Sequence, residues 1–171
     1  IAPALAAGNT LVIKSSSTTP LSLFELGKLL NQVLPAGVVN IVSGRGARTG
    51  QAMLDHPGFD KLAFTGSTEV GYSVAEAAAK RLIPSTLELG GKSPAVFLPS
   101  DDYSAAYPKI LSSIFFNAGQ TCTALSRLIV PRRDLARIES EFCELAAKLV
   151  VGDPTDPKTD IGPVSSKAQF E

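Results

Sequence analysis

Thr10-Leu11-Val12-Ile13-Lys14, then Val38-Val39-Asn40-Ile41-Val42 and, just beyond it, Gly44-Arg45-Gly46-Ala47-Arg48-Thr49-Gly50 are the runs whose reading decides the fold. The first two are short and rich in Val, Ile and Leu, the pattern of a strand buried on both faces of a parallel sheet. Between them Leu23, Leu26, Leu30 and Val33 recur at helical spacing after Pro20, whose fixed φ suits a helix start. Pro35-Ala36-Gly37 then turns the chain. Working outward, the Gly-rich turn leads into a helix that ends near His56-Pro57. Lys61–Phe64 is a third strand and the Ala-rich stretch 68–80 a third helix. Strands separated by helices at this spacing predict βαβ units with right-handed crossovers, an α/β fold with a parallel sheet.

The rhythm changes after Pro84. Thr86–Leu89 reads as extended and stops at Gly90-Gly91, the expected junction between a first domain, residues 1–90, and a second, 91–171. A strand over Ala95–Leu98, a helix from Asp101 or Asp102, and a strand over Ser126–Val130 follow. The last helix carries an apolar stripe of Leu135, Ile138, Phe142, Leu145 and Leu149, with Asp134 as its expected N-cap. Val151–Pro163 reads as loop.

Composition bounds the function. The 171 residues carry 16 basic and 16 acidic side chains and are 44% apolar and 19% charged, a globular balance with enough chain for a sizeable core. Zero formal net charge argues against a nucleic-acid partner, which needs clustered Lys and Arg. No apolar run approaches the ~20 residues that cross a bilayer. One His and two Cys provide neither a structural zinc site nor a disulfide framework, so no metal is expected and a reducing compartment is. The chain begins at Ile1 without a basic leader, and its one Met is Met53, so it reads as an internal piece of a longer protein.

Four motifs could carry chemistry. Gly44 to Gly50 follows a strand and opens a helix, where glycines let the backbone approach a pyrophosphate, although a bare turn would favour them equally. Its G-x-G-x-x-x-G spacing is one residue longer than the dinucleotide fingerprint. Phe64-Thr65-Gly66-Ser67-Thr68-Glu69-Val70-Gly71 also ends a strand and starts a helix, so it faces the ligand side of an open sheet. There Ser67 or Thr68 could equally be a simple N-cap. Cys122 lies among Asn117, Ala118, Gly119, Gln120 and Thr121, a polar setting for a nucleophile, whereas Cys143 beside Phe142 reads as structural. Glu88, between Leu87 and Leu89, is either a salt-bridged strand-end carboxylate or, in an apolar pocket, a general base. Glu88 and Cys122 can meet only through tertiary folding. His56, before Pro57, is expected to serve a helix C-terminus and not catalysis.

Taken together, these motifs resemble the NAD(P)-dependent aldehyde dehydrogenase superfamily. The resemblance runs nearly end to end: P-A-L-A-A-G-N-T at Pro3–Thr10, L-P-A-G-V-V-N-I-V at Leu34–Val42, F-T-G-S-T-E-V-G at Phe64–Gly71, L-E-L-G-G-K-S-P at Leu87–Pro94, F-N-A-G-Q-T-C ending at Cys122, and V-G-D-P from Val151. It implies part of a Rossmann-like cofactor domain followed by part of an α/β catalytic domain. Cys122 matches the nucleophile that attacks an aldehyde and becomes a thioester, and Glu88 the base that activates water to hydrolyse it. The Cys122 N–H would help hold the oxyanion, a contribution of about 3 kcal/mol. The family's other donor, an Asn, falls before Ile1, and Asn117 matches a different, structural position. Lys14 matches the contact to the adenosine ribose and Gly44 the turn near adenine. Phe64, Gly66, Ser67 and Val70 match the wall beside adenine and pyrophosphate, and Leu89 a neighbour of the nicotinamide. The implied cofactor is NAD or NADP, the partner a small aldehyde, and the parent a cytoplasmic homodimer or homotetramer.

One departure bears on the cofactor. Lys14-Ser15-Ser16-Ser17 stands where the family commonly has Lys-Pro-Ser-Glu. That Glu accepts from ribose hydroxyls and repels a 2′-phosphate. With Ser17 in its place, and Arg45 and Arg48 not far along the chain, NADP is expected to be tolerated alongside NAD. Thr121 and Thr123, beside Cys122, occupy positions that vary in the family. Alternatives to aldehyde oxidation are acyl transfer to coenzyme A, a cysteine hydrolase on Cys122, and a non-catalytic fragment. The 171 residues alone are expected to show little or no dehydrogenase activity.

Overall fold

The computed structural model describes residues 1–171, which fold as two compact units. In chain order the elements are α1 (Ala2–Ala6), β1 (Leu11–Lys14), α2 (Leu21–Val33), β2 (Val39–Val42), α3 (Gln51–Asp55), β3 (Leu62–Gly66), α4 (Thr68–Arg81), β4 (Ser85–Leu89), β5 (Pro94–Val96), α5 (Tyr107–Phe115), β6 (Arg127–Ile129), α6 (Leu135–Ala146) and α7 (Lys167–Phe170). The architecture is α/β, with the strands in three pairs, β1–β2, β3–β4 and β5–β6. The first unit comprises Ile1–Phe64 and Glu69–Leu87; the second comprises Thr65–Thr68 and Glu88–Glu171.

In the first unit β1 and β2 run parallel in the register Leu11↔Val39 to Lys14↔Val42, joined by α2 as the crossover. Helix and strand approach closely because Gly27, buried in α2, leaves room for the Ile41 side chain of β2. Any Cβ at Gly27 would meet that side chain. A second packing centre joins Leu62 of β3 to Val74 and Ala78 of α4, with Leu54, Phe59, Phe64, Ala77, Ile83 and Leu87 around it. The four-residue step from Val74 to Ala78 places both on one helical face.

In the second unit β5 and β6 are also parallel, from Pro94↔Arg127 to Val96↔Ile129. Their crossover carries α5 and the segment containing Cys122. The core here is Tyr103, Tyr107 and Ile138, flanked by Phe97, Leu128, Val130, Phe142 and Leu145. Phe97 stacks on Tyr103 with ring centroids 4.8 Å apart. Ile138, Phe142 and Leu145 of the predicted stripe thus face the core, but Leu135 is half exposed and Leu149 lies beyond the end of α6.

Three sequence expectations are corrected. The helix awaited at Asp101 or Asp102 begins at Tyr107, because Asp102 closes a turn by accepting the Ser104 N–H at 2.8 Å, and Pro108 needs the first helical turn, where no N–H is required. Asp134 precedes α6 but does not cap it: its carboxylate takes the Tyr103 hydroxyl at 2.9 Å and the Arg133 guanidinium at 3.2 Å. Cys143 is exposed and not in an apolar setting, since it lies off the Ile138–Phe142 face.

The accessible surface is 12177 Å². Even two separate compact bodies of half the mass would expose only roughly 9,600 Å². The excess includes apolar side chains that a closed core would hide, among them Leu21, Leu29 and Val33 on α2, Leu98 and Phe116.

Candidate active site

In the first unit, the parallel β1–β2 pair brings the carboxyl ends of both strands side by side, the edge where open α/β sheets bind ligands. Lys14 closes this edge. Its ammonium donates to the Ser15 carbonyl at 2.7 Å and the Gly44 carbonyl at 3.3 Å, leaving one of three donors free. Gly44 has φ +129°, and a Cβ there would collide with the Thr49 hydroxyl, so no other residue fits. The chain then makes one wide helical turn, Gly46–Gly50, into α3. At Gly46 nothing lies within 4 Å of a Cβ position, so the backbone is open to an approaching group. Ser17 is exposed, beside Ser16 and Thr18, whose hydroxyls are 2.9 Å apart. Arg45 and Arg48 are exposed. Phe64 packs on the Leu62 cluster, and Val70 is half exposed on the first turn of α4. The open Gly46 backbone, the spare Lys14 donor and the exposed Ser17 fit the ribose and phosphates of a dinucleotide.

The second unit holds Gly66 at the end of β3, Ser67 before α4, and Glu88 and Leu89 at the end of β4. Leu89 is half buried and Glu88 exposed, so no apolar pocket surrounds the carboxylate in these residues. Register explains how the segments carrying Glu88 and Cys122 approach each other. Pro94 pairs with Arg127; Glu88 lies six residues before the first and Cys122 five before the second, so both segments enter the strand pair from the same end. Gly91 confirms the approach: a Cβ there would stand 3.5 Å from the Cys122 carbonyl oxygen. Cys122 itself is exposed, and its N–H donates to no other backbone group.

Before Cys122 the backbone does something the sequence did not announce. Asn117 (φ 53°, ψ 39°) and Ala118 (φ 56°, ψ 35°) are left-handed, and Gly119 follows at φ 78°. Gln120 fastens this turn by donating to the Asn117 carbonyl at 2.9 Å, while Asn117 donates to the Gln120 carbonyl at 3.2 Å. Asn and Gly tolerate this conformation and Ala does not, which hid the turn. Also unforeseen is a cleft of about 340 Å³ between α3 and α4, lined by Gln51, Leu54, Asp55, Ser73, Ala77 and Lys80. Its signal was the pair of small residues Ser73 and Ala77, one helical turn apart.

His56 ends α3, where its Nδ1 accepts the Gly58 N–H at 3.0 Å and its ring meets Phe59 edge-on. No group of three or more His, Cys, Asp or Glu is placed to hold a metal ion. No helix is long and apolar enough to cross a membrane.

A model of the aldehyde dehydrogenase family matches residues 1–171, the whole chain. The chain belongs to the aldehyde dehydrogenase family. It is 42% identical over 172 aligned positions to a probable betaine aldehyde dehydrogenase of Schizosaccharomyces pombe, covering 100% of this chain and 34% of that aldehyde dehydrogenase. Among solved structures it resembles a mutant of aldehyde dehydrogenase C from Pseudomonas syringae, complexed with NAD+ and octanal. That match has a TM-score of 0.93 and 44% identity over 99% of this chain and 35% of the other. Betaine aldehyde dehydrogenase from Staphylococcus aureus, in complex with NAD+, matches with a TM-score of 0.93 and 35% identity over 98% of this chain and 34% of that one. The chain thus spans about a third of the length of the aldehyde dehydrogenases it matches.

Proposed function

We propose that these residues carry the cofactor edge and the thiol of an enzyme that oxidises an aldehyde to a carboxylic acid with NAD or NADP. Residues 1–90 then belong to the cofactor domain and 91–171 to the catalytic domain. The observation that carries the reading is the approach of the Glu88 and Cys122 segments at one end of the β5–β6 pair, with Gly91 against the Cys122 carbonyl.

The thiolate of Cys122 attacks the aldehyde carbon, a C–S bond forms, and the Cys122 N–H is free to donate to the oxyanion. A bound nicotinamide would supply the hydride acceptor needed to oxidise this adduct to a thioester on Cys122. Glu88 takes a proton from water, whose oxygen attacks the thioester; the C–S bond breaks and the acid leaves. By their match to the family's motifs, Lys14, Ser17, Gly44, Phe64 and Val70 of the first unit and Gly66, Ser67 and Leu89 of the second would each contact the cofactor. Ser17 has no charge to repel a 2′-phosphate and Arg45 and Arg48 are exposed nearby in sequence, which supports use of NADP as well as NAD. The two free thiols fit a cytoplasmic protein, and the apolar surface left exposed fits a homodimer or homotetramer of a longer subunit.

The test is production of NAD(P)H by the protein expressed from its complete gene, with octanal and betaine aldehyde as probes. Aldehyde-dependent reduction with free acid as product is the expected result. Turnover without a nicotinamide, or acyl-coenzyme A as product, would overturn it.

A further inference from the structure

The turn that precedes Cys122 is held from outside as well as from within. Gln120 Oε1 accepts the backbone N–H of Ser165 at 2.9 Å, forty-five residues further along the chain. The same side chain donates through Nε2 to the Asn117 carbonyl at 2.9 Å, so one amide uses both ends at once. Gln120 is half buried, and the Asn117 side chain bonds only within the turn, to the Gln120 carbonyl. Thr121 adds only a long bond, 3.4 Å, from its hydroxyl to the Phe116 carbonyl. A left-handed Ala118 is a conformation that persists only where its surroundings enforce it.

We propose that Gln120 is a positioning residue for the nucleophile: its amide locks the left-handed turn at Asn117–Gly119 and ties it to Ser165, fixing where Cys122 meets its substrate. The inference rests on Cys122 being the nucleophile, as proposed above. Gln120 touches no reacting atom. It acts through the backbone of the turn and of Thr121, the one residue between it and Cys122, so its loss should lower the rate of chemistry and leave binding nearly intact.

Two substitutions separate its bonds. Gln120→Ala removes both. Gln120→Glu keeps an acceptor for the Ser165 N–H and loses the donor to the Asn117 carbonyl. In the protein expressed from its complete gene, Gln120→Ala should lower kcat at least tenfold with KM for aldehyde and cofactor within threefold. Amide hydrogen exchange over residues 117–123 should quicken at least tenfold, while exchange in α6 stays unchanged. Gln120→Glu should fall between wild type and Gln120→Ala on both readouts. Unchanged exchange over 117–123 in Gln120→Ala would overturn the lock. Faster exchange with unchanged kcat would overturn the positioning role. A general quickening that includes α6 would mark Gln120 as merely structural and overturn the inference too. If the wild type shows no aldehyde-dependent turnover, the functional reading falls and takes this inference with it; if the wild type turns over and Gln120→Ala matches it, the inference alone falls.

Discussion

Tyr103 and Asp134, thirty-one residues apart, are joined by a 2.9 Å hydrogen bond from the phenol to the carboxylate. The bond fastens the loop before α5 to the start of α6, and Arg137 completes it by lying 5.3 Å over the Tyr103 ring. Desolvation works against the charge of Asp134, but the Tyr103 hydroxyl and then the Arg133 and Arg137 guanidiniums hold its carboxyl below the usual range. A depressed value in the folded state means stability that is present above the unfolded-state pKa and lost as pH falls through the folded one. Tyr103→Phe should cost about 1 kcal/mol at pH 7 and less at acid pH, read from urea unfolding at several pH values.

Tyr107 behaves in the opposite direction. Burial, then its hydrogen bond to Glu141, pushes the phenol from 10 up to about 12. The folded state therefore keeps its proton where the unfolded chain releases it. Stability from this group is complete below pH 10 and is lost as pH rises from 10 to 12, up to about 3 kcal/mol. Tyr107→Phe should flatten this alkaline loss, measured by unfolding across pH 9–12.

At the reaction centre the two proposed groups separate kinetically. Cys122→Ala should reduce aldehyde-dependent NAD(P)H formation by about 10³-fold or more. Glu88→Gln should leave a first burst of NAD(P)H and slow the steady state by ~10²–10⁴-fold, since only the hydrolytic half needs the base. Stopped-flow absorbance of the full-length variants decides this. A Glu88→Gln enzyme without a burst contradicts the assignment.

Gly44→Ala tests the cofactor edge. With φ +129° and the Thr49 hydroxyl in the way, the substitution should cost about 1–3 kcal/mol. Because the Lys14 ammonium is anchored on the Gly44 carbonyl, cofactor affinity should fall with it. Thermal unfolding and cofactor titration measure the two effects. Gly46→Ala, with open space before it, serves as the mild control for stability.

Ser17→Glu should restore discrimination against the 2′-phosphate. The ratio of NADP to NAD affinity is expected to fall at least tenfold, about 1.4 kcal/mol, measured by titrating both cofactors.

Much of this was legible in the residues. The runs of Val, Ile and Leu located β1 and β2 to within one residue, and Lys61–Phe64 marked β3 to within two. What the sequence concealed was decided by partners distant in the chain. Asp134 looks like a cap by position, yet a phenol thirty-one residues earlier competes for its carboxylate more effectively than the helix N–H groups do. Ala118 carries no mark of a left-handed turn, and its conformation follows from Gln120 and Ser165. At the site, strand register could be anticipated as parallel pairing, but not that Pro94 would fall opposite Arg127 and so align the Glu88 and Cys122 segments.

The placement of the aromatic rings has an optical consequence. The sequence contains no Trp and three Tyr, and Tyr103 and Tyr107 both sit in the Ile138 core while Tyr72 is exposed. Near-ultraviolet circular dichroism from these residues therefore reports the asymmetry of one packing centre alone. Loss of that signal marks melting of the Ile138 packing centre, in the unit that holds Cys122.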